Sequence, residues 1–249
     1  MKHPKISIII ATFNSAETLE KCLESIESQT FKDIEVIIID GLSTDGTIKI
    51  INRYTSLISY WKSEKDDGIY DAWNKGVEES SGEYICFIGS DDYLTNQDSL
   101  EILRSRIGDQ KYDLVLFQGI FLKSDSKKEY IVGSDWNQNQ LIKMPICHPG
   151  MLHHWSLFDR IGKFNTEFKI AGDYDFMLRL SAETKTLYID TPLITIMDGG
   201  ISRSQYLRAM AEKRIIRSRD PRIGKFMATF HYYNKLWRIP IAKFLNIPY

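Results

Sequence analysis

Lys5-Ile6-Ser7-Ile8-Ile9-Ile10-Ala11 is a nearly continuous β-branched run that ends in the polar stretch Thr12-Phe13-Asn14. An apolar run without alternation suits a strand buried on both faces, as in a parallel sheet covered by helices on each side. Asn14 with Glu17 three residues on forms a cap-like pair. Leu19, Cys22, Leu23 and Ile26 then recur at helical spacing and make one apolar stripe. The alternation continues. Glu35 to Ile39 reads as a second strand, and Thr44 or Asp45 as the cap of a helix whose Ile48 and Ile51 face inward. Ile58 to Trp61 reads as a short strand, Tyr70 to Glu79 as a helix and Glu83 to Ile88 as a buried strand. Leu100, Leu103 and Ile107 mark a further helix before the strand pattern of Asp113 to Phe121. This order predicts an α/β fold, a mostly parallel central sheet flanked by helices.

In such sheets ligands bind in the crevice beyond the carboxyl ends of the strands. Here those ends read Thr12-Phe13-Asn14, Asp40-Gly41 and Ser90-Asp91-Asp92. Later in the chain, Lys123 to Tyr130 reads as a hairpin turn, Trp155 to Gly162 and Asp173 to Ala182 as helices, and Leu187-Tyr188-Ile189 as a strand. A flexible loop, Asp198-Gly199-Gly200, follows.

The 249 residues, 43% hydrophobic and 26% charged, suit one soluble domain with a tail. A net charge of −1 offers no global field to nucleic acid, and no nucleic-acid partner is expected. The average hides an asymmetry. Residues 201–249 hold 11 Lys and Arg against Glu212 and Asp220, a balance of +9, so residues 1–200 carry −10. Cys22, Cys86 and Cys147 stand far apart and read as buried thiols in a reducing compartment. The apolar run after Met1 is too short for a signal peptide, and no stretch approaches the roughly 18 apolar residues of a membrane span. A cytoplasmic protein is expected.

The chemistry concentrates in Ile85-Cys86-Phe87-Ile88-Gly89-Ser90-Asp91-Asp92. Two adjacent carboxylates at a strand mouth repel unless something positive lies beside them. Mg²⁺ or Mn²⁺ shared with donor phosphates is one remedy; capping of the next helix is the other role open to them. Asp40, ending Val36-Ile37-Ile38-Ile39, is placed to accept from the N3–H of a uracil ring or to anchor the glycine-rich turn after it. The segment from Ser63 to Gly76 packs four carboxylates into eight residues, with Asp71 and Lys75 at salt-bridge spacing.

Four ordered segments carry a resemblance: Ser7 to Asn14, Asp40-Gly41-Leu42-Ser43-Thr44-Asp45-Gly46-Thr47, Asp67-Gly68-Ile69-Tyr70-Asp71-Ala72-Trp73-Asn74-Lys75-Gly76, and Gly89-Ser90-Asp91-Asp92. Together they resemble family 2 glycosyltransferases, in the bacterial branch that builds surface polysaccharide and lipopolysaccharide. The resemblance runs from about Lys5 to Ser202. It implies a GT-A fold over 1–202, with a donor half (about 1–120) and an acceptor and base half (121–202). It also implies an inverting single displacement from a nucleotide-sugar donor, UDP-sugar preferred, to a glycan or lipid-linked acceptor. By the same resemblance Thr12, Phe13, Asn14, Asp40, Asp71, Lys75 and Asp91 border the donor, and Asp91 and Asp92 serve Mn²⁺ or Mg²⁺. Gly89 stands where many relatives have Asp or Asn, so the metal-touching member of the pair stays open. Asp173, in Ala171-Gly172-Asp173-Tyr174-Asp175, is similar to the family's base, with Gly172 in place of the usual Glu. A helix cap is its other reading, and Asp175 is expected to pair with Arg179.

His148, His153 and His154 lack the acid or cysteine partners of a zinc site. His148 is expected near the acceptor or diphosphate, with Gly200 and Ser202 in a loop that closes over phosphates. Residues 203–249 form a basic, aromatic helical tail suited to an anionic membrane surface, which would hold the protein at the inner face of the cytoplasmic membrane. The competing reading is a non-catalytic nucleotide-sugar-binding or scaffold protein of the same fold. A nucleotidyltransferase is disfavoured by the lack of a glycine- and arginine-rich loop after the first strand. Dinucleotide and P-loop enzymes are disfavoured by the lack of GxGxxG and of the GxxxxGK signature.

Overall fold

The computed structural model describes residues 6–123, 125–136, 141–142, 144 and 146–244, with side chains to residue 238. Lys5, Ser124 of the expected hairpin turn and the side chain of Phe244 lie outside the described residues. In chain order the elements are β1 (Ile6–Thr12), α1 (Leu19–Glu27), β2 (Ile34–Asp40), α2 (Thr47–Arg53), β3 (Ile58–Ser63) and α3 (Ile69–Glu79). Next come β4 (Tyr84–Gly89), β5 (Tyr93–Leu94), α4 (Ser99–Ile107), β6 (Leu114–Leu122), β7 (Glu129–Val132) and β8 (Leu152–His154). The chain continues through α5 (Ser156–Ile161), α6 (Gly172–Leu178), β9 (Thr186–Met197), α7 (Ile201–Ser204), α8 (Tyr206–Arg219) and α9 (Gly224–Phe244).

The strands form one mixed sheet in the order β3-β2-β1-β4-β8-β6-β9-β5, with β7 paired to β6. Strands β3, β2, β1 and β4 are mutually parallel, and β6 and β9 are parallel to each other. β8 runs antiparallel between β4 and β6, and β5 and β7 run antiparallel to their neighbours. The unbroken apolar run of β1 is explained by its neighbours. Ile6, Ile8 and Ile10 feed a core with α1 and α4 on one face, while Ile9 feeds a second with α3, α5 and α6 on the other. Parallel register aligns Thr12 with Asp40 and Ala11 with Gly89, so the polar strand ends form one edge.

Several local expectations change. Asn14 does not cap a helix: it sits at φ 48°, its side-chain oxygen accepts from Thr44 N at 2.9 Å, and α1 starts only at Leu19 after Thr18. Neither Thr44 nor Asp45 is the N-cap of α2; Gly46 is, and Asp45, one residue earlier, accepts from the backbone of Thr47 at 2.9 Å and of Ala16 at 3.0 Å. The helix expected to reach Ala182 stops at Leu178, and the short strand at 187–189 is the start of twelve-residue β9. The three cysteines are buried, and burial raises the thiol pKa of each, Cys147 to about 12. No helix among the described residues is long and apolar enough to cross a membrane.

His153, on β8, is enclosed by the rings of Phe87, Phe158 and Phe176, with its Nδ1 3.3 Å from Ile85 O. Burial pushes its pKa down to about 3, and burial lowers His148 as well. Both rings are therefore neutral in the fold. Between pH 6.5 and about 3 the unfolded chain takes up a proton at His153 that the folded chain refuses. Stability should be complete above pH 6.5 and fall on acidification by up to about 1.4 kcal/mol per pH unit for each such histidine. Urea melts from pH 7.5 to 4.5 should show this slope, and His153→Gln should flatten it. An unchanged slope in the variant would remove His153 as its source.

Candidate active site

At the β1 and β2 ends, the Asp40 carboxylate is 0% exposed and held by side chains from three segments. Thr12 Oγ1 donates to it at 2.9 Å, Ser63 Oγ at 2.6 Å, Ser43 Oγ at 2.5 Å and Ser43 N at 2.9 Å. Burial alone would raise its pKa, but these donors hold it below the usual carboxylate value. Both Asp40 oxygens face protein donors, as the turn-anchoring role requires. Phe13, beside it, is 67% exposed. Asp66 Oδ2 and Phe13 Cδ2 lie 2.6 and 3.4 Å from where a side chain at Gly41 would begin, so an acid and an aromatic face meet over a bare backbone. Asp66 was not singled out by the sequence reading, which saw only a dense acidic run. Asn14 N donates to Ser43 Oγ at 2.8 Å, so Asn14 ties the β2 turn to β1.

At the end of β4, Ser90 and Ser15 hydroxyls meet at 2.8 Å. The next two carboxylates fold over Gly89: Asp91 Oδ1 and Asp92 Oδ2 lie 2.7 and 2.8 Å from where a side chain at 89 would begin. Asp92 is buried and accepts from Met197 N at 3.1 Å, the last residue of β9. Burial, and then the Asp91 charge, raise its pKa to about 7. This is a pair of hard oxygen donors short of positive charge. It fits Mg²⁺ or Mn²⁺, which commonly takes one or two carboxylates and completes its shell with phosphate and water. Among the described residues no cluster of three or more acids, histidines or cysteines forms a full protein cage.

Asp173 opens α6. Its Oδ1 accepts from Tyr174 N at 2.8 Å and lies 3.1 Å from Tyr70 OH, which also lies 2.8 Å from Ile170 O. Burial and the Asp173 charge hold the Tyr70 phenol well above its usual pKa, so it is a neutral donor. His148, 5.5 Å from the Trp73 ring and stacked on it, has an Nε2 with no partner among the described residues. Cys147 is within electrostatic reach of Asp92, and His148 of Asp173. Tyr70 was missed in the sequence because its partner is 103 residues away. Lys213 of α8 was missed for the same reason: burial depresses it while the Asp173 charge opposes that shift.

Asp71 and Lys75 pair at 3.2 Å, and Lys75 also meets Glu64 at 3.2 Å and Lys65 O at 3.0 Å. Their charges are engaged in ordering the loop that carries Asp66. Asp175 pairs with Arg179 at 3.2 Å. Gly200 is the N-cap of α7, with its carbonyl accepting from Arg203 N at 2.9 Å, and Ser202 is exposed on that helix, a few residues beyond the Met197 contact to Asp92.

The family model for Glycosyl transferase family 2 matches residues 7–177. A PGL/p-HBAD biosynthesis glycosyltransferase of Mycobacterium bovis is 33% identical over 183 residues, 72% of this chain and 70% of that one. A cholesterol galactosyltransferase of Borreliella burgdorferi is 38% identical over 116 residues, 46% of this chain and 32% of that one. Among solved structures, residues 1–349 of S. aureus TarS superpose with a TM-score of 0.67 at 19% identity, over 90% of this chain and 68% of that one. The mannosyltransferase PcManGT from Pyrobaculum calidifontis, in complex with GDP-Man and Mn²⁺, gives 0.67 at 19% identity, over 98% and 74%. At such identity the structural likeness speaks for the fold alone.

Gly172 has a spatial reason. A side-chain carbon there would stand 2.8 Å from two carbons of the Tyr70 ring. Gly172→Ala should therefore cost about 1–3 kcal/mol through overpacking. Thermal melts should show Tyr70→Ala absorbing most of that loss in the double variant. Additive losses would mean that the ring contact is not the cause.

Proposed function

Because the chain belongs to glycosyl transferase family 2, we propose that it transfers a sugar from a nucleotide-diphosphate donor to an acceptor hydroxyl with inversion. The observation that carries this reading is the acid pair folded over Gly89 at the end of β4, together with a separate carboxylate, Asp173, near the start of α6. A displacement needs two such places, one for the leaving diphosphate and one for the proton.

The donor base stacks on Phe13, with Asp66 at its rim and Asp40 fixing the floor through Thr12 and Ser43. Stacking on an exposed aromatic face contributes about 1–3 kcal/mol. Asn14, Asp71 and Lys75 support the donor indirectly by ordering the two loops. Asp91 and Asp92 would hold Mn²⁺ or Mg²⁺, which would supply positive charge for the departing diphosphate. Asp173 takes the proton of the acceptor hydroxyl as its oxygen bonds to the anomeric carbon and the bond from that carbon to the diphosphate oxygen breaks. Tyr70 orients Asp173, and neutral His148 offers Nε2 to the acceptor or diphosphate. The loop at Gly200 and Ser202 closes over the phosphates. TarS has been crystallised with UDP-GlcNAc and PcManGT with GDP-Man, which supports a nucleotide-sugar donor; UDP is the base proposed here.

The acceptor is a glycan or lipid-linked hydroxyl. Residues 1–202 form the donor and acceptor halves, and 203–249 adds α8 against the body and α9 beyond it. On α9, Phe226, Phe230, Tyr233 and Trp237 recur at helical spacing around one groove, with Phe226 81% and Trp237 75% exposed. This face suits an anionic membrane interface that presents a lipid-linked acceptor, at the inner side of the cytoplasmic membrane.

Turnover of a UDP-sugar with Mn²⁺ should be measurable and suppressed by a chelator. Asp173→Asn should lower kcat by about 10²–10⁴-fold with donor affinity kept. Donor binding without turnover in the parent would favour a non-catalytic binding protein instead. For the membrane face, Phe226→Ser with Trp237→Ser should reduce flotation with anionic liposomes several-fold. Equal flotation of parent and variant would sink that assignment.

A further inference from the structure

Glu212 lies on α8, some forty residues beyond the segment that leads into α6, and is only 8% exposed. Its carboxylate accepts from three successive backbone amides: Lys169 N at 3.1 Å to each oxygen, Ile170 N at 2.8 Å and Ala171 N at 3.0 Å. Arg208, one turn earlier on α8, lies 3.4 Å from its other side. Three amides converging on one buried carboxylate form a charge-assisted clamp, the strongest class of protein hydrogen bond. The clamped residues end immediately before Gly172-Asp173. Ile170 also presents its carbonyl to Tyr70 OH, the phenol that reaches Asp173. The segment 169–171 is thus held from α8 by its amides and from α3 by a carbonyl, and Asp173 follows two residues on.

We infer that Glu212 is a positioning residue for the transfer, fixing through the amides of 169–171 where Asp173 presents its carboxylate to the acceptor hydroxyl. This rests on the transferase reading. It makes α8 part of the catalytic unit, although in sequence it belongs to the basic tail. The neighbouring Lys213 supports the assignment. It is an α8 cation whose Nζ lies 5.8 Å from the centre of the Tyr174 ring, on the residue after Asp173. Because Glu212 touches neither donor nor acceptor, its loss should act on the chemical step and leave donor binding alone.

The experiment compares parent, Glu212→Gln and Glu212→Asp for UDP-sugar turnover with Mn²⁺, donor affinity and stoichiometry by calorimetry, and the pH profile of kcat. Glu212→Gln should keep one donor site with affinity within about twofold while kcat falls at least about tenfold. Glu212→Asp keeps the charge on a shorter arm and should recover part of the loss; it also serves as the readout if the glutamine variant does not fold. The acidic limb of the kcat profile, absent in Asp173→Asn, should move in Glu212→Gln. A folded variant with kcat within twofold of the parent, or donor affinity lost in step with kcat, overturns the positioning role and leaves the transferase reading standing. Absence of turnover in the parent overturns both.

Discussion

The carboxyl edge of the sheet gathers like charges, and its design follows from how each is compensated. Asp40 is settled internally by the hydroxyls of Thr12, Ser43 and Ser63 and the Ser43 amide, which hold it ionised without solvent. Asp92 is met only by backbone amides, of Met197 and Gly89, and with burial and the Asp91 charge its pKa is raised to about 7. Adjacent carboxylates that the protein leaves under-compensated are costly unless a ligand completes them. One acid is therefore settled by the protein itself, while the pair is left short of positive charge. Parallel pairing makes this division possible, because it brings the ends of β1, β2 and β4 to one side.

The two glycines that the resemblance singles out are both matters of space. Over Gly89 the carboxylates of Asp91 and Asp92 occupy the volume a side chain would need. At Gly172 the Tyr70 ring does the same, and this ring carries the hydroxyl that reaches Asp173. The second case binds more tightly, since an aromatic ring buried on both sides cannot step aside as the end of a carboxylate can.

The alternation of strands and helices was legible because periodicity is local: β1, β2, α3, β4 and β6 stand close to where the pattern puts them. So were the strand ends, and with them Asp40, Asp91 and Asp92. Asp173 came from resemblance to a motif. Contacts without a local signature were not legible. Strand β8 is three residues long and carries two histidines, so it shows neither length nor alternation. Asn14 has the composition of a cap, but its side chain serves a loop thirty residues away. Tyr70 reaches Asp173 across 103 residues and Glu212 reaches Ala171 across 41. Their residue types are ordinary, and only the fold makes them partners.

The basic tail shows how a charge count can mislead. In sequence the +9 balance reads as one cationic unit attracted to a negative surface. In the structure several of these cations, on α8 and in the turn after it, are engaged with the body or with a nearby acid. Arg217 donates to Tyr174 OH and Ile142 O, Arg219 pairs with Glu167 at 2.6 Å, and Arg222 meets Asp220 and the Leu178 carbonyl. Charges already satisfied by the body add little to long-range attraction, since each carries its counter-charge with it. What distinguishes the tail is the aromatic face of α9, which the body leaves uncovered. Interfacial binding scales first with the apolar area that can be buried. The tail therefore divides in two: the arginines of α8 and of the turn after it are engaged with the body, while the exposed aromatic face lies on α9.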